Sequence, residues 1–148
     1  MAEYVLIACS KRKKGKENSQ KEYTAREIYQ GTLFVYSMKY ARDYLKKKDE
    51  EIFILSAKHH LLRLNDSIKY YNEYLGDKKA AEVKEWARIV EKQMVDAGMD
   101  LEKDTFVILA GKKYWKYLNL EKKVFPMKDA DGIGKMLHFL KNKTSPQK

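Results

Sequence analysis

A chain of 148 residues has the length of one domain and can bury a core without disulfides or metals to staple it. Its 44% hydrophobic and 12% aromatic content excludes a disordered polymer, and its single cysteine, Cys9, excludes an internal disulfide and a cysteine-rich zinc framework. The 31 Lys and Arg residues against 21 Asp and Glu give a net charge of +10, which attracts polyanions and supplies the counterion release that drives nucleic-acid binding; a merely solvated lysine-rich surface is the plain alternative.

The amino terminus, MAEYVLIACSKRKK, carries its charge after the apolar run, an order that fits neither a secretory signal nor a membrane span. Tyr4 to Cys9 is therefore predicted as a first strand, nearly continuous in apolar residues as a strand covered on both faces should be. With one cysteine and no membrane-binding helix, a cytoplasmic protein is expected. Residues 11–22, KRKKGKENSQKE, hold six basic side chains and no aliphatic one, so they predict a solvated loop. Thr24 and Glu27 have capping-box spacing and predict a short helix that stops near Gly31.

A longer helix is predicted from about Leu33 to Lys47, with Phe34, Met38, Ala41 and Leu45 on one face. IFILSA, residues 52–57, is the second strand. The pattern Val83, Trp86, Ala87, Val90, Met94 predicts a helix over about Lys79 to Ala97, closed by a left-handed Gly98. TFVILAG, residues 105–111, is the third strand, followed by a short helix through Tyr114 to Leu118. KVFPM, residues 123–127, is the fourth, with Pro126 at its end or at the sheet edge because it lacks an amide donor. A final helix carries Ile133, Met136, Leu137 and Leu140. Lys143 to Lys148 has tail composition, which leaves 1–142 as a single domain.

Strands alternating with helices predict a three-layer α/β fold: a mostly parallel four-stranded sheet with helices on both faces. In such sheets ligands bind beyond the carboxyl ends of the strands. Four segments meet there: Cys9-Ser10-Lys11, Ser56-Ala57-Lys58-His59-His60, Ala110-Gly111-Lys112 and Pro126-Met127-Lys128. Each carries a lysine, and the small Ser10, Ala57 and Gly111 would let a ligand approach the backbone.

The individual candidates divide between functional and structural readings. Cys9 is a nucleophile if its thiol is activated, or a small core residue, the commoner fate at a strand end. Ser10 binds a phosphate or base, or caps a turn. Lys11, Arg12, Lys13, Lys14 and Lys16 grip phosphates at the site mouth or simply solvate the loop. His59 and His60 are adjacent and point in different directions, so at most one serves as a proton shuttle; no third ligand accompanies them, and no metal or cofactor is expected. In Tyr70-Tyr71-Asn72-Glu73-Tyr74, Tyr71 either stacks a base or packs on the sheet. GxGxxG, the Walker loop and GxSxG are absent. The Gly132-Ile133-Gly134 step after Asp129 and Asp131 is too brief to be specific.

Read in order, CSxxK (Cys9, Ser10, Lys13), IYQGTLF (Tyr29, Gly31, Phe34), ILSAKHHLL running into IKYYNEYL (Ser56, Lys58, Tyr71), Trp86, LAGKKYWKYL (Gly111, Tyr114) and Pro126 resemble a bacterial and archaeal family of domains of unknown function over nearly the whole chain. More distantly the order is similar to the YaaA peroxide-stress proteins and the archaeosine synthase core. That resemblance implies a uracil-DNA glycosylase-like core, association with DNA or a modified tRNA base, and a base-sized pocket framed by Cys9, Ser10, Lys13, Ser56, Lys58, Tyr71, Gly111 and Tyr114. Two positions depart from the pattern: His60 stands where glycine is usual, and Asn72 where an aspartate is expected, which removes a general-base candidate. The chain is also shorter than the YaaA proteins.

Three functions follow as expectations. One is an enzyme of base modification or N-glycosidic bond chemistry, with Lys13 or Lys58 on phosphate, Tyr71 on the base, and Ser10, His59 or Asn72 orienting a proton or water. The second is a non-catalytic nucleic-acid-binding protein serving stress protection. The third is a domain for a small anion or a protein partner.

Overall fold

The computed structural model describes residues 1–144. Its main sheet has five strands. The strands β1 (Glu3–Ala8), β3 (Ile52–Ser56), β6 (Thr105–Leu109) and β7 (Lys122–Val124) are parallel, and β4 (His60–Arg63) runs antiparallel to β3. Across the sheet they lie in the order β4-β3-β1-β6-β7. A separate ribbon pairs β2 (Glu22–Thr24) with β5 (Ser67–Lys69).

The sheet thus has five strands where four are predicted. The extra strand arises because the chain turns back immediately after β3, over Ala57–His59, so that Ser56 faces His60 and Leu55 faces Leu61. His60 takes a left-handed backbone, with φ +69°, at the start of the return. The tight turn expected of a glycine is therefore kept with an imidazole in its place, at the steric cost of a Cβ in that region.

Alternation along the strands divides the core in two. Val5, Ile7, Ile52, Ile54, Val107 and Leu109 face α1 (Ala25–Ile28), α2 (Thr32–Lys39) and α5 (Ile133–Thr144). Leu6, Phe53, Leu55, Phe106 and Ile108 face α3 (Ala80–Asp96) and α4 (Lys112–Trp115). On α3 the residues Val83, Trp86, Ala87, Val90 and Met94 are buried, the predicted stripe, and Gly98 follows with φ +93°. The first apolar strands and this helix form where the patterning puts them.

Three helices differ from prediction at an end, one of them α4, which closes at Trp115 rather than Leu118. Thr24 Oγ1 donates to Glu27 Oε1 at 2.7 Å, side chain to side chain, so the pair meets without making the reciprocal backbone cap. The helix predicted to Lys47 keeps α geometry to Lys39 and then widens into a π turn over Tyr40–Tyr44, with Leu45 N–H donating to Tyr40 O and Lys46 left-handed at φ +58°. Pro126 follows β7, itself the sheet edge. At the other edge, Gln93 Oε1 on α3 accepts from the Leu61 N–H of β4 at 2.6 Å. Of the predicted tail, Lys143 and Thr144 belong to α5, and residues 145–148 lie outside the described residues. Among the described residues, no helix is long and apolar enough to cross a membrane.

Candidate functional site

The strand order fixes where a ligand can enter. From β1 the chain crosses by α1 and α2 to β3 on one side, then by α3 to β6 on the other, with these crossovers on opposite sheet faces. The carboxyl ends of β1 and β6 therefore diverge into a switch-point crevice. Cys9 stands there, half-buried, with its Sγ 3.4 Å from the Tyr114 hydroxyl at the end of α4.

Beside it, at the ends of β1 and β3, residues distant in sequence close a hydroxyl ring. Tyr29 OH donates to Ser56 Oγ at 3.3 Å, and Tyr71 OH lies 2.6 Å from Tyr29 OH and 2.8 Å from Ser56 Oγ. Each hydroxyl has one proton, so Tyr29's donation to Ser56 sends Ser56's proton to Tyr71 and Tyr71's to Tyr29. Ser56 Oγ also accepts the His59 N–H at 3.1 Å, and its carbonyl accepts from Trp86 Nε1 at 2.8 Å. Ser56 is wholly buried, and Tyr71 only 5% exposed. Burial pushes the phenols of Tyr29, Tyr71 and Tyr114 well above the ordinary tyrosine pKa, so all three are neutral donors at pH 7.

Lysines cover this layer. Lys13 Nζ stands 4.4 Å from the Tyr71 ring centroid and donates to Lys11 O, and the exposed Lys58 lies 6.0 Å from the same ring. Burial lowers the Lys13 pKa, and burial followed by the Lys58 charge holds the His59 imidazole, edge-on to Tyr71, below its usual range. Lys11 stands 4.2 Å from the Tyr74 ring, and Lys14 lies 5.9 Å from Tyr23. Arg12 and Asn72 are exposed. Ser10 is a clamp: its Oγ donates to Arg12 O at 2.8 Å and accepts the Gly31 N–H at 3.1 Å. Gly31 is needed for that approach, since a Cβ there would fall 2.6 Å from Ser10 Cβ.

The structure thus gathers Cys9, Lys13, Tyr29, Ser56, Lys58, His59, Tyr71 and Tyr114 and links them to one another through hydrogen bonds and ring contacts. An open pocket lies one strand further on. A pocket of about 330 Å³ at the ends of β6 and β7 is lined by Gly111, Lys112, Trp115, Phe125 and Lys128 among others. Trp115 and Phe125 are half-buried with ring centroids 4.7 Å apart. A Cβ added at Gly111 would meet nothing within 4 Å, so its backbone opens on the pocket. Sequence reasoning puts Gly111, Lys112 and Lys128 at this end of the sheet but misses Trp115 and Phe125; their signal is a pair of large aromatics flanking two strand ends. No group of three or more His, Cys, Asp or Glu side chains among the described residues is placed to hold a metal ion.

Compared with known protein families, residues 4–142 match the Family of unknown function (DUF6884). The chain belongs to that family. The match covers β1 through most of α5, so both the hydroxyl ring and the aromatic pocket lie within the DUF6884 domain. No curated protein matches the sequence.

Proposed function

We propose that this DUF6884 protein binds a nucleic acid or nucleotide, taking a base into the pocket at the ends of β6 and β7. One observation carries the reading: two half-buried aromatic rings and two lysines, Lys112 and Lys128, surround an open glycine backbone beside a switch-point crevice. Aromatic faces stack any base, and lysines take its phosphate. The exposed Lys11, Arg12 and Lys14 and the net charge of +10 extend the attraction beyond the pocket. Similarity of the chain's segments to the YaaA and archaeosine synthase proteins, with the uracil-DNA glycosylase-like core it implies, supports the same reading and belongs to the proposal. So does a role in stress protection.

Binding is favoured over chemistry by the pocket's lining, in which Lys112 and Lys128 are the only titratable side chains. The catalytic candidates stand elsewhere: Ser10 spends its hydroxyl on the loop, and His59 packs on Tyr71. The test is a salt series with labelled single-stranded DNA, duplex DNA, tRNA and mononucleotides, with products analysed by mass spectrometry. Expected are binding that weakens with salt, unchanged bases, and a loss of roughly 5- to 150-fold in affinity for Trp115→Ala, the range for one base–aromatic stack. A changed base would restore the enzyme reading. Failure of all four ligands to bind at low salt would overturn the proposal.

A further inference from the structure

The pocket beside Gly111 has a neighbour. Across the loop between β7 and α5 lies a second hollow of about 670 Å³, and Met127 and Ala130 line both. Tyr44, Lys135, His138, Phe139 and Lys143 are among its other lining residues. The π turn that ends α2 presents Tyr44 here: its ring stacks on Tyr40 at 5.0 Å and 15° and is left 48% exposed. Lys143 Nζ stands 5.5 Å from the Tyr44 ring and 5.7 Å from that of Phe139. Widened turns of this kind recur at functional sites, where they re-aim a side chain.

The second hollow therefore repeats the chemistry of the first, an accessible aromatic face with lysine beside it. Together the two linings hold four lysines (Lys112, Lys128, Lys135, Lys143) against one carboxylate, Asp129. We propose that the two hollows are successive base sites for a single-stranded nucleic acid, which crosses the Met127–Ala130 divide with its phosphates on Lys128 and Lys135. This rests on the base-pocket reading and adds the class of ligand. A duplex keeps its bases paired and stacked on one another, whereas separate concave sites, each with an aromatic wall, require unpaired bases splayed apart.

The experiment is calorimetric titration of the full chain with thymidine monophosphate, with oligothymidylates of two and four residues, and with a short duplex. The expected result is at least tenfold tighter binding of the four-residue strand than of the monophosphate. Tyr44→Ala should then weaken the strand by roughly 5- to 150-fold, the effect of losing one base–aromatic stack, and leave the monophosphate unchanged. Tyr44→Phe should bind the strand like the parent. A second variant, Lys135→Gln, should flatten the log–log salt slope for the strand by roughly 0.7, the value for one phosphate that is no longer neutralised. Equal affinity for monophosphate and strand, equal affinity for duplex, or a Tyr44→Ala protein that binds the strand like the parent would each overturn the two-site inference while the first pocket stands. Absence of binding by every probe would overturn both.

Discussion

Replacing Ser56 with alanine removes the one oxygen on which three hydrogen bonds converge, those with Tyr29, Tyr71 and the His59 amide. The methyl group fits the space, and the Trp86 bond survives because it ends on the Ser56 carbonyl. Tyr71 keeps its proton on Tyr29, but Tyr29's proton and the His59 N–H lose their acceptor. An unsatisfied buried donor costs about 1–3 kcal/mol, so two make a loss of about 2–4 kcal/mol once the half-buried His59 amide is allowed some water. Tyr29→Phe strands only one hydroxyl proton and should cost less, about 1–3 kcal/mol. Urea unfolding followed by circular dichroism should show lower midpoints at constant slope, ordered parent, Tyr29→Phe, Ser56→Ala. A Ser56→Ala protein within about 0.5 kcal/mol of the parent, or as stable as Tyr29→Phe, would refute the one-way hydroxyl ring.

Burial raises the folded pKa of Tyr29, Tyr71 and Tyr114, so their contribution is complete below the unfolded value near pH 10 and is lost as pH rises beyond it, at up to about 1.4 kcal/mol per pH unit for each. Absorbance at 295 nm should show these three of the 11 tyrosines ionising only with unfolding; free titration of all 11 in the folded protein would contradict the assignment. His59 and His60, both lowered chiefly by burial, work in the opposite sense: their contribution is present above about pH 6.5 and falls as the pH drops through their folded values, which chemical denaturation at pH 7.5 and 5.5 would detect. At His60, where φ is +69°, a glycine should be more stable than an alanine by about 1–2 kcal/mol in thermal melts, and equality would remove the argument for strain. Gly31→Ala should push Ser10 off its two partners, cost about 1–3 kcal/mol, and speed tryptic cleavage within residues 11–16; an unchanged digestion rate would show that the clamp does not hold the loop.

The sequence is most legible where burial is two-sided. Val5 to Ile7, Ile52 to Leu55 and Phe106 to Leu109 read as strands because both their faces must be apolar, and α3 reads as a helix because its buried residues keep helical spacing. The β4 return is illegible because its turn residue is a histidine: nothing local to Lys58-His59-His60 announces a left-handed backbone, which the neighbouring β3 ladder and the Gln93 contact sustain. Tyr29, Ser56 and Tyr71 are named together only through resemblance, since spacings of 27 and 15 residues say nothing about contact until the topology is known. Trp115 and Phe125 escape for a related reason: each looks like an ordinary packing residue of its own short element, and only the parallel pairing of β6 with β7 sets them side by side.

The Gln93 amide oxygen bears on how this protein behaves at high concentration. A sheet with open margins invites a stranger's backbone to continue it, the route by which strands polymerise. At the β4 margin the Leu61 amide is already occupied by a side chain from α3. At the other margin β7 is only three residues long, opens with two exposed lysines and is soon followed by a proline that has no amide to offer. Both rims are thus poor templates, so copies of the protein can crowd together without zipping to one another. Gln93→Ala, which reopens the β4 rim, is the change that would make such zippering possible.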